Sequence, residues 1–169
     1  MRYKNWPLNQ TYQKPASILL FMLLFSGIIA LSSCNKQYLR GHFTVEQFLD
    51  SAEWKTKIDE KYTPKAHWMD SIAQVKGSYD LRIYAGTYCP DSKKWIPRLL
   101  QLRPSLPLEE ISVIAVDTTK KDKEGFAETE QIEKIPTFIF YKSGKEVGRI
   151  IEKPKGRLEK ELYYTLKNK

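Results

Sequence analysis

Residues 80–97 read Asp80-Leu81-Arg82-Ile83-Tyr84-Ala85-Gly86-Thr87-Tyr88-Cys89-Pro90-Asp91-Ser92-Lys93-Lys94-Trp95-Ile96-Pro97. Leu81, Ile83 and Ala85 alternate with Arg82 and Tyr84, the period-2 pattern of a strand. Gly86-Thr87-Tyr88 interrupts the pattern, and a cysteine follows at the start of a helix. The periodicity of Trp95, Ile96, Leu99 and Leu100 carries that helix from Lys93 to about Leu102. Pro97 lies inside it, where it cannot donate a backbone hydrogen bond and is expected to kink the helix.

Toward the C-terminus, Pro104 and Pro107 bracket a loop. Ile111 to Val116 is almost wholly apolar, as in a strand covered on both faces. Residues 117–134 are polar and read as a solvated loop with a short helix near Ala127–Ile132. Thr137-Phe138-Ile139-Phe140-Tyr141 is a strand, Lys142-Ser143-Gly144-Lys145 a turn, and Glu146–Ile151 the returning strand. Leu158, Leu162 and Leu166 mark a closing helix. The order strand, helix, strand, helix, strand, strand, helix predicts an α/β fold in three layers, with a mixed sheet flanked by helices.

Toward the N-terminus, Gly77 ends a helix begun at Thr63-Pro64 and lined by Trp68, Ile72 and Val75. An earlier helix spans Thr44 to about Tyr62. Thr44 and Gln47 suit a capping box, and Phe43 and Phe48 a hydrophobic staple. These two form a helical extension over 44–77, ahead of a domain over 78–169. Residues 34–43 read as a tether.

The leader differs in kind. Ile18–Ala30 is apolar apart from Ser26 and Gly27, which is short for a span of roughly 20 residues. It suits the core of a secretory signal over residues 1–33. Leu31-Ser32-Ser33-Cys34 resembles the bacterial lipoprotein signal. That resemblance implies a lipidated Cys34 as the new N-terminus, with two or three acyl chains. One acyl chain binds marginally, whereas several hold firmly. The alternative is an uncleaved anchor helix. Either way the domain is expected outside the cytoplasm, in the cell envelope and facing the periplasm. The leader holds Arg2, Lys4 and Lys14 and no acid, so its removal lowers the net charge from +8 to +5. That excess is too mild to argue for nucleic acid.

Several features in register resemble the thioredoxin superfamily over about residues 78–167. They are Cys89 after the first strand, Pro97 eight residues later, Ile135-Pro136-Thr137 opening the hairpin, the Lys-Ser-Gly-Lys turn, and Gly148-Arg149. The resemblance implies a cis Ile135–Pro136 bond beside the active cysteine. It also implies a substrate groove shaped by Ile135, Pro136, Tyr88 and Pro90.

Cys89 carries the expected chemistry. A thiol must ionise to attack a disulfide, and a helix N-terminus favours the thiolate. Ser92 is expected to turn its hydroxyl toward the sulfur. Lys93 and Lys94 favour the thiolate and Asp91 opposes it. The chain departs from the dithiol pattern in having Ser92 where a resolving cysteine would stand. Ile83 replaces the buried acid six positions before the cysteine, and Tyr88 the usual tryptophan. The pattern resembles the monothiol Cys-x-x-Ser branch.

A monothiol can form a mixed disulfide that an external small thiol or a partner protein resolves. The alternative is a non-catalytic adaptor or a covalent chaperone on the same scaffold. Neither reading requires a cofactor. Two cysteines and two histidines, His42 and His67, are too scattered for a zinc site.

Overall fold

The computed structural model describes residues 38–54, 59 and 61–167. The leader and Cys34 lie outside the described residues. The elements are β1 (Gly41–Thr44), α1 (Val45–Ser51), α2 (Ala66–Ala73), β2 (Tyr79–Ala85), α3 (Pro90–Leu102), β3 (Leu108–Ala115), α4 (Phe126–Thr129), β4 (Thr137–Lys142), β5 (Lys145–Ile151) and α5 (Leu158–Leu166). They build one mixed five-stranded sheet in the order β1-β3-β2-β4-β5. β2 lies at its centre, parallel to β3 and antiparallel to β4.

Alternation along the strands divides the core in two. Leu81, Ile83, Val113, Phe138, Phe140 and Ile150 join a cluster with Phe48, Ile72, Ile96, Leu99, Leu158 and Leu162 from four of the helices. Tyr84, Ile114 and Ile139 point the other way and meet Ala127, Ile132 and Ile135. The flanking layers are therefore unequal. One face carries helices, and the other carries the 116–135 segment with its single turn of α4.

β1 is a difference from the tether expected over 34–43. Gly41–Thr44 joins the edge of β3, with Phe43 opposite Val113. Four residues with one clear hydrophobe give no strand signal of their own. The long-range pairing supplies it.

The Thr44–Gln47 capping box is present, with the Gln47 N–H at 3.2 Å from Thr44 Oγ1 and the Thr44 N–H at 3.0 Å from Gln47 Oε1. The helix then stops at Ser51. Glu53 takes a positive φ of 57° and Trp54 folds back edge-on against Phe48, with ring centroids 5.5 Å apart. Burial of the indole ends a helix that local periodicity would have continued.

α2 begins at Ala66 rather than at Thr63-Pro64, and its N-cap, Lys65, has no side-chain cap. The free Lys65 N–H donates instead to Glu159 Oε1, 3.0 Å away on α5. α3 begins three residues earlier than its hydrophobic period indicates, at Pro90, because proline suits the first helical turn. The helix runs through Pro97, which removes the N–H that would reach Lys93.

Loop 117–134 is more ordered than its charge indicates. Asp122 is buried and accepts the N–H groups of Glu124, Phe126 and Ala127 at 3.0, 3.1 and 2.8 Å. Burial pushes its carboxyl pKa up, but these three donors prevail and hold it below the ordinary value.

Candidate active site

The site forms where β2 ends, α3 begins and β4 starts. Cys89 is the N-cap of α3, with extended backbone at φ −83° and ψ 121°. Its sulfur is half-buried and touches two backbone groups. The Ser92 N–H donates to Sγ at 3.4 Å, and the thiol donates to the Ile135 carbonyl at 3.4 Å. The Ile135–Pro136 bond is cis. The expected meeting of Cys89 with the Ile–Pro pair is therefore present.

Ser92 does not act as its sequence position suggested. Its hydroxyl makes no hydrogen bond to the sulfur, and its backbone N–H does. The side chain is fully buried, and Oγ has no hydrogen-bond partner among the described residues. The first turn of a helix presents its free N–H groups to the N-cap whatever the side chain. Ser92→Ala is therefore expected to leave the rate of Cys89 alkylation within about threefold. It should raise stability by about 1 kcal/mol, because a buried unpaired hydroxyl is costly. A tenfold fall in alkylation rate would assign the hydroxyl a role in activating the thiol.

Ile135 and Pro136 are buried, Tyr88 is half-buried, and Pro90 is exposed at the first position of α3. Tyr88 and Cys89 pack on the smaller core cluster together with Ile135. The Tyr88 hydroxyl donates to the Asp117 carbonyl. Burial first, then the nearby Cys89 and Asp117, pushes its phenol up to about 12, so it stays protonated as that donor.

Three further residues shape the site. Gly86 is one: a Cβ there would meet the Tyr88 ring at 2.5 and 2.7 Å and Ile135 Cδ1 at 3.0 Å. Only a residue without a side chain lets the two walls of the site close together. Gly86→Ala is expected to destabilise the domain by about 2 kcal/mol through overpacking and to change the alkylation rate of Cys89. Denaturant titration and alkylation kinetics would check both effects. The signal available in the sequence was a glycine between a strand and a thiol.

Asp117 is the second. Its carboxylate accepts the Thr119 hydroxyl at 2.6 Å, the Thr119 N–H at 2.8 Å and the Lys121 N–H at 3.2 Å. The Thr119 hydroxyl, more than any other partner, holds its carboxyl below the usual carboxylate range. The same carboxylate accepts Arg40 at 3.1 Å. Tyr38 is the third: its ring stands edge-on to Tyr88, with centroids 4.9 Å apart. The lead-in chain is thus fastened at the rim of the site. Neither contact follows from local sequence, because each joins residues far apart along the chain.

His42 and His67 are both exposed. Among the described residues no group of His, Cys, Asp and Glu could hold a metal ion, and no helix is long and apolar enough to cross a membrane.

No curated protein matches the chain. Among solved structures, a Pseudomonas aeruginosa protein of unknown function is 15% identical, with a TM-score of 0.48, covering 70% of this chain and 80% of its own. The Edwardsiella tarda protein Trxlp is 21% identical, with a TM-score of 0.42, covering 62% of this chain and 97% of its own. Fasciola hepatica thioredoxin is 22% identical, with a TM-score of 0.38 and coverage of 57% and 86%. The family model described as thioredoxin matches residues 44–164, which take in the helical extension and strands β2–β5. With most of its length inside that match, the chain belongs to the thioredoxin family.

Proposed function

We propose that this chain is a lipid-anchored, extracytoplasmic thioredoxin-like protein that performs thiol–disulfide exchange with one thiol. Cys34 carries the lipid and Cys89 is the nucleophile. The observation that carries the reading is the partly buried Cys89 at the N-cap of α3, its sulfur between the Ser92 N–H and the Ile135 carbonyl. A cysteine so placed sits against the backbone N–H of Ser92 and beside the cis Ile135–Pro136 bond.

The step conserves atoms and electrons. The Cys89 thiolate attacks one sulfur of a partner disulfide and forms a new S–S bond. The partner's own S–S bond breaks, and its second sulfur leaves as a thiolate that takes up a proton. When the thiol loses its proton, the Ile135 carbonyl loses that donor and is free to accept an N–H from an extended substrate backbone. The Pro136 carbonyl is already engaged by the Glu152 N–H at 2.7 Å. Backbone pairing at Ile135 admits many sequences. An external thiol, from a small molecule or a second protein, then attacks the mixed disulfide and restores Cys89.

A second reading is favoured by one observation. Ser92, at the position of a resolving thiol, is fully buried and cannot release a captured partner. The protein would then hold partners covalently as a chaperone or adaptor. Both readings are tested by incubating the full chain with a peptide disulfide and following Cys89 by mass spectrometry. Repeated turnover with added thiol supports exchange, and a long-lived adduct under the same thiol supports holding. Absence of any Cys89 adduct would end both.

A further inference from the structure

We infer that the partner of Cys89 is an extended segment of a membrane-anchored protein, presenting its disulfide or thiol at the bilayer surface. The inference deepens the proposed function and rests on both of its parts, the lipid at Cys34 and exchange at Cys89.

The lead-in chain meets the folded domain at the active site itself. Tyr38 lies edge-on against Tyr88, the residue before the thiol, at a centroid distance of 4.9 Å. Arg40 pairs with Asp117 at 3.1 Å, and the Asp117 carbonyl accepts the Tyr88 hydroxyl. Two contacts therefore fasten this chain to the wall of the thiol site. Cys34 stands only four residues before Tyr38. Fully extended, four residues reach about 14 Å.

A lipid on Cys34 thus keeps the rim of the thiol site within about 14 Å of the bilayer surface, measured along the chain. A folded domain of about 100 residues has a radius of gyration near 13 Å and is about 34 Å across. Such a partner cannot enter between this rim and the membrane. An extended strand is thin enough, and the Ile135 carbonyl, which accepts the Cys89 thiol at 3.4 Å and is released when that thiol ionises, suits an extended backbone. Lys93 and Lys94 are exposed on the first turn after the thiol. Their charge suits a position over anionic headgroups.

The test uses the full lipidated chain in vesicles of phosphatidylcholine and phosphatidylglycerol. One peptide disulfide is presented in three ways: free, coupled to a lipid in the same vesicle, or fused to a soluble folded domain of about 100 residues. A variant carries 20 flexible Gly/Ser residues between Lys36 and Gln37, which add about 25 Å of mean reach. The domain-borne probe is expected to react with the parent at least tenfold more slowly than the free peptide, and the insertion should remove that deficit. The lipid-borne probe should react with both chains. Equal rates for free and domain-borne probes on the short tether, or no effect of the insertion, would overturn the inference.

Two controls separate its failure from that of the premises. Both soluble probes should react equally with the parent in detergent. No Cys89 adduct there would refute exchange, and an N-terminal peptide without lipid would refute the anchor. Either result removes the inference as well.

Discussion

Cys89→Ser is expected to abolish adduct formation with a peptide disulfide, to the level of the uncatalysed background. Serine keeps the size and the N-cap role, so the fold should survive. What it removes is the ability to form an S–S bond. The Cys89 sulfur is the sole thiol of the described residues, and the remaining cysteine of the chain is Cys34. Ser92 cannot substitute, because a hydroxyl cannot form an S–S bond, and it is buried besides. Circular dichroism should match the parent while thiol release falls to background. Release at more than a tenth of the parental rate would move the chemistry elsewhere.

The second large effect concerns stability. Glu159 is fully buried at the start of α5. It accepts the Tyr62 hydroxyl, the Arg157 guanidinium and the Lys65 N–H at the start of α2. Burial alone raises a carboxyl pKa, but the Tyr62 hydroxyl, the backbone N–H groups and Arg157 outweigh it here, and Glu159 is held below its ordinary 4.5. Burial and Glu159 in turn push the Tyr62 phenol well above its usual value. The carboxylate therefore joins α5 to the segment that leads into α2.

Glu159→Ala takes the acceptor from the Tyr62 hydroxyl and the Lys65 N–H and leaves the Arg157 guanidinium with the Thr63 carbonyl alone. Breaking a buried pair costs about 3–5 kcal/mol. The lower end applies here, since Arg157 keeps 41% of its side chain exposed. A loss of about 3 kcal/mol should lower Tm by roughly 10 °C in a domain of this size.

The pH dependence has a definite sign. A carboxylate whose folded pKa is depressed stabilises the fold above its unfolded value and ceases to do so as pH falls through the folded one. The parent should therefore lose stability below about pH 4.5, and Glu159→Ala should lose less over the same acid range. Denaturant titrations from pH 7 downward would check both. An alanine variant within 1 kcal/mol of the parent at pH 7 would contradict this account of the α2–α5 junction.

Glu159 also illustrates where local sequence stops being informative. Thr63-Pro64 has the local form of a cap, whereas the partner that receives the Lys65 N–H at the start of α2 is Glu159, 94 residues on. β1 escaped notice for a similar reason, since its strand character comes from β3. By contrast, the capping box at Thr44–Gln47, the apolar β3 and the hairpin of β4 and β5 depend on neighbours a few residues away, and these were legible. So was the meeting of Cys89 with Ile135 and Pro136, through family resemblance rather than periodicity. The detail of that meeting was not legible. A sequence shows that Ser92 has a hydroxyl, but only packing shows that it points into the core while the backbone N–H serves the sulfur. Gly86, Asp117 and Tyr38 shape the site through contacts that no spacing rule contains.

In the proposed function Cys89 captures a partner, and among the described residues no second thiol is present to release it. The most direct measurement mixes the full chain with a small aromatic disulfide and counts the thiol released, before and after an external thiol is added. The account predicts one equivalent per Cys89, a stoichiometric adduct located on Cys89 by mass spectrometry, and further release only once the external thiol is present. Continued release without that thiol, or an unmodified Cys89 at the end, would contradict it.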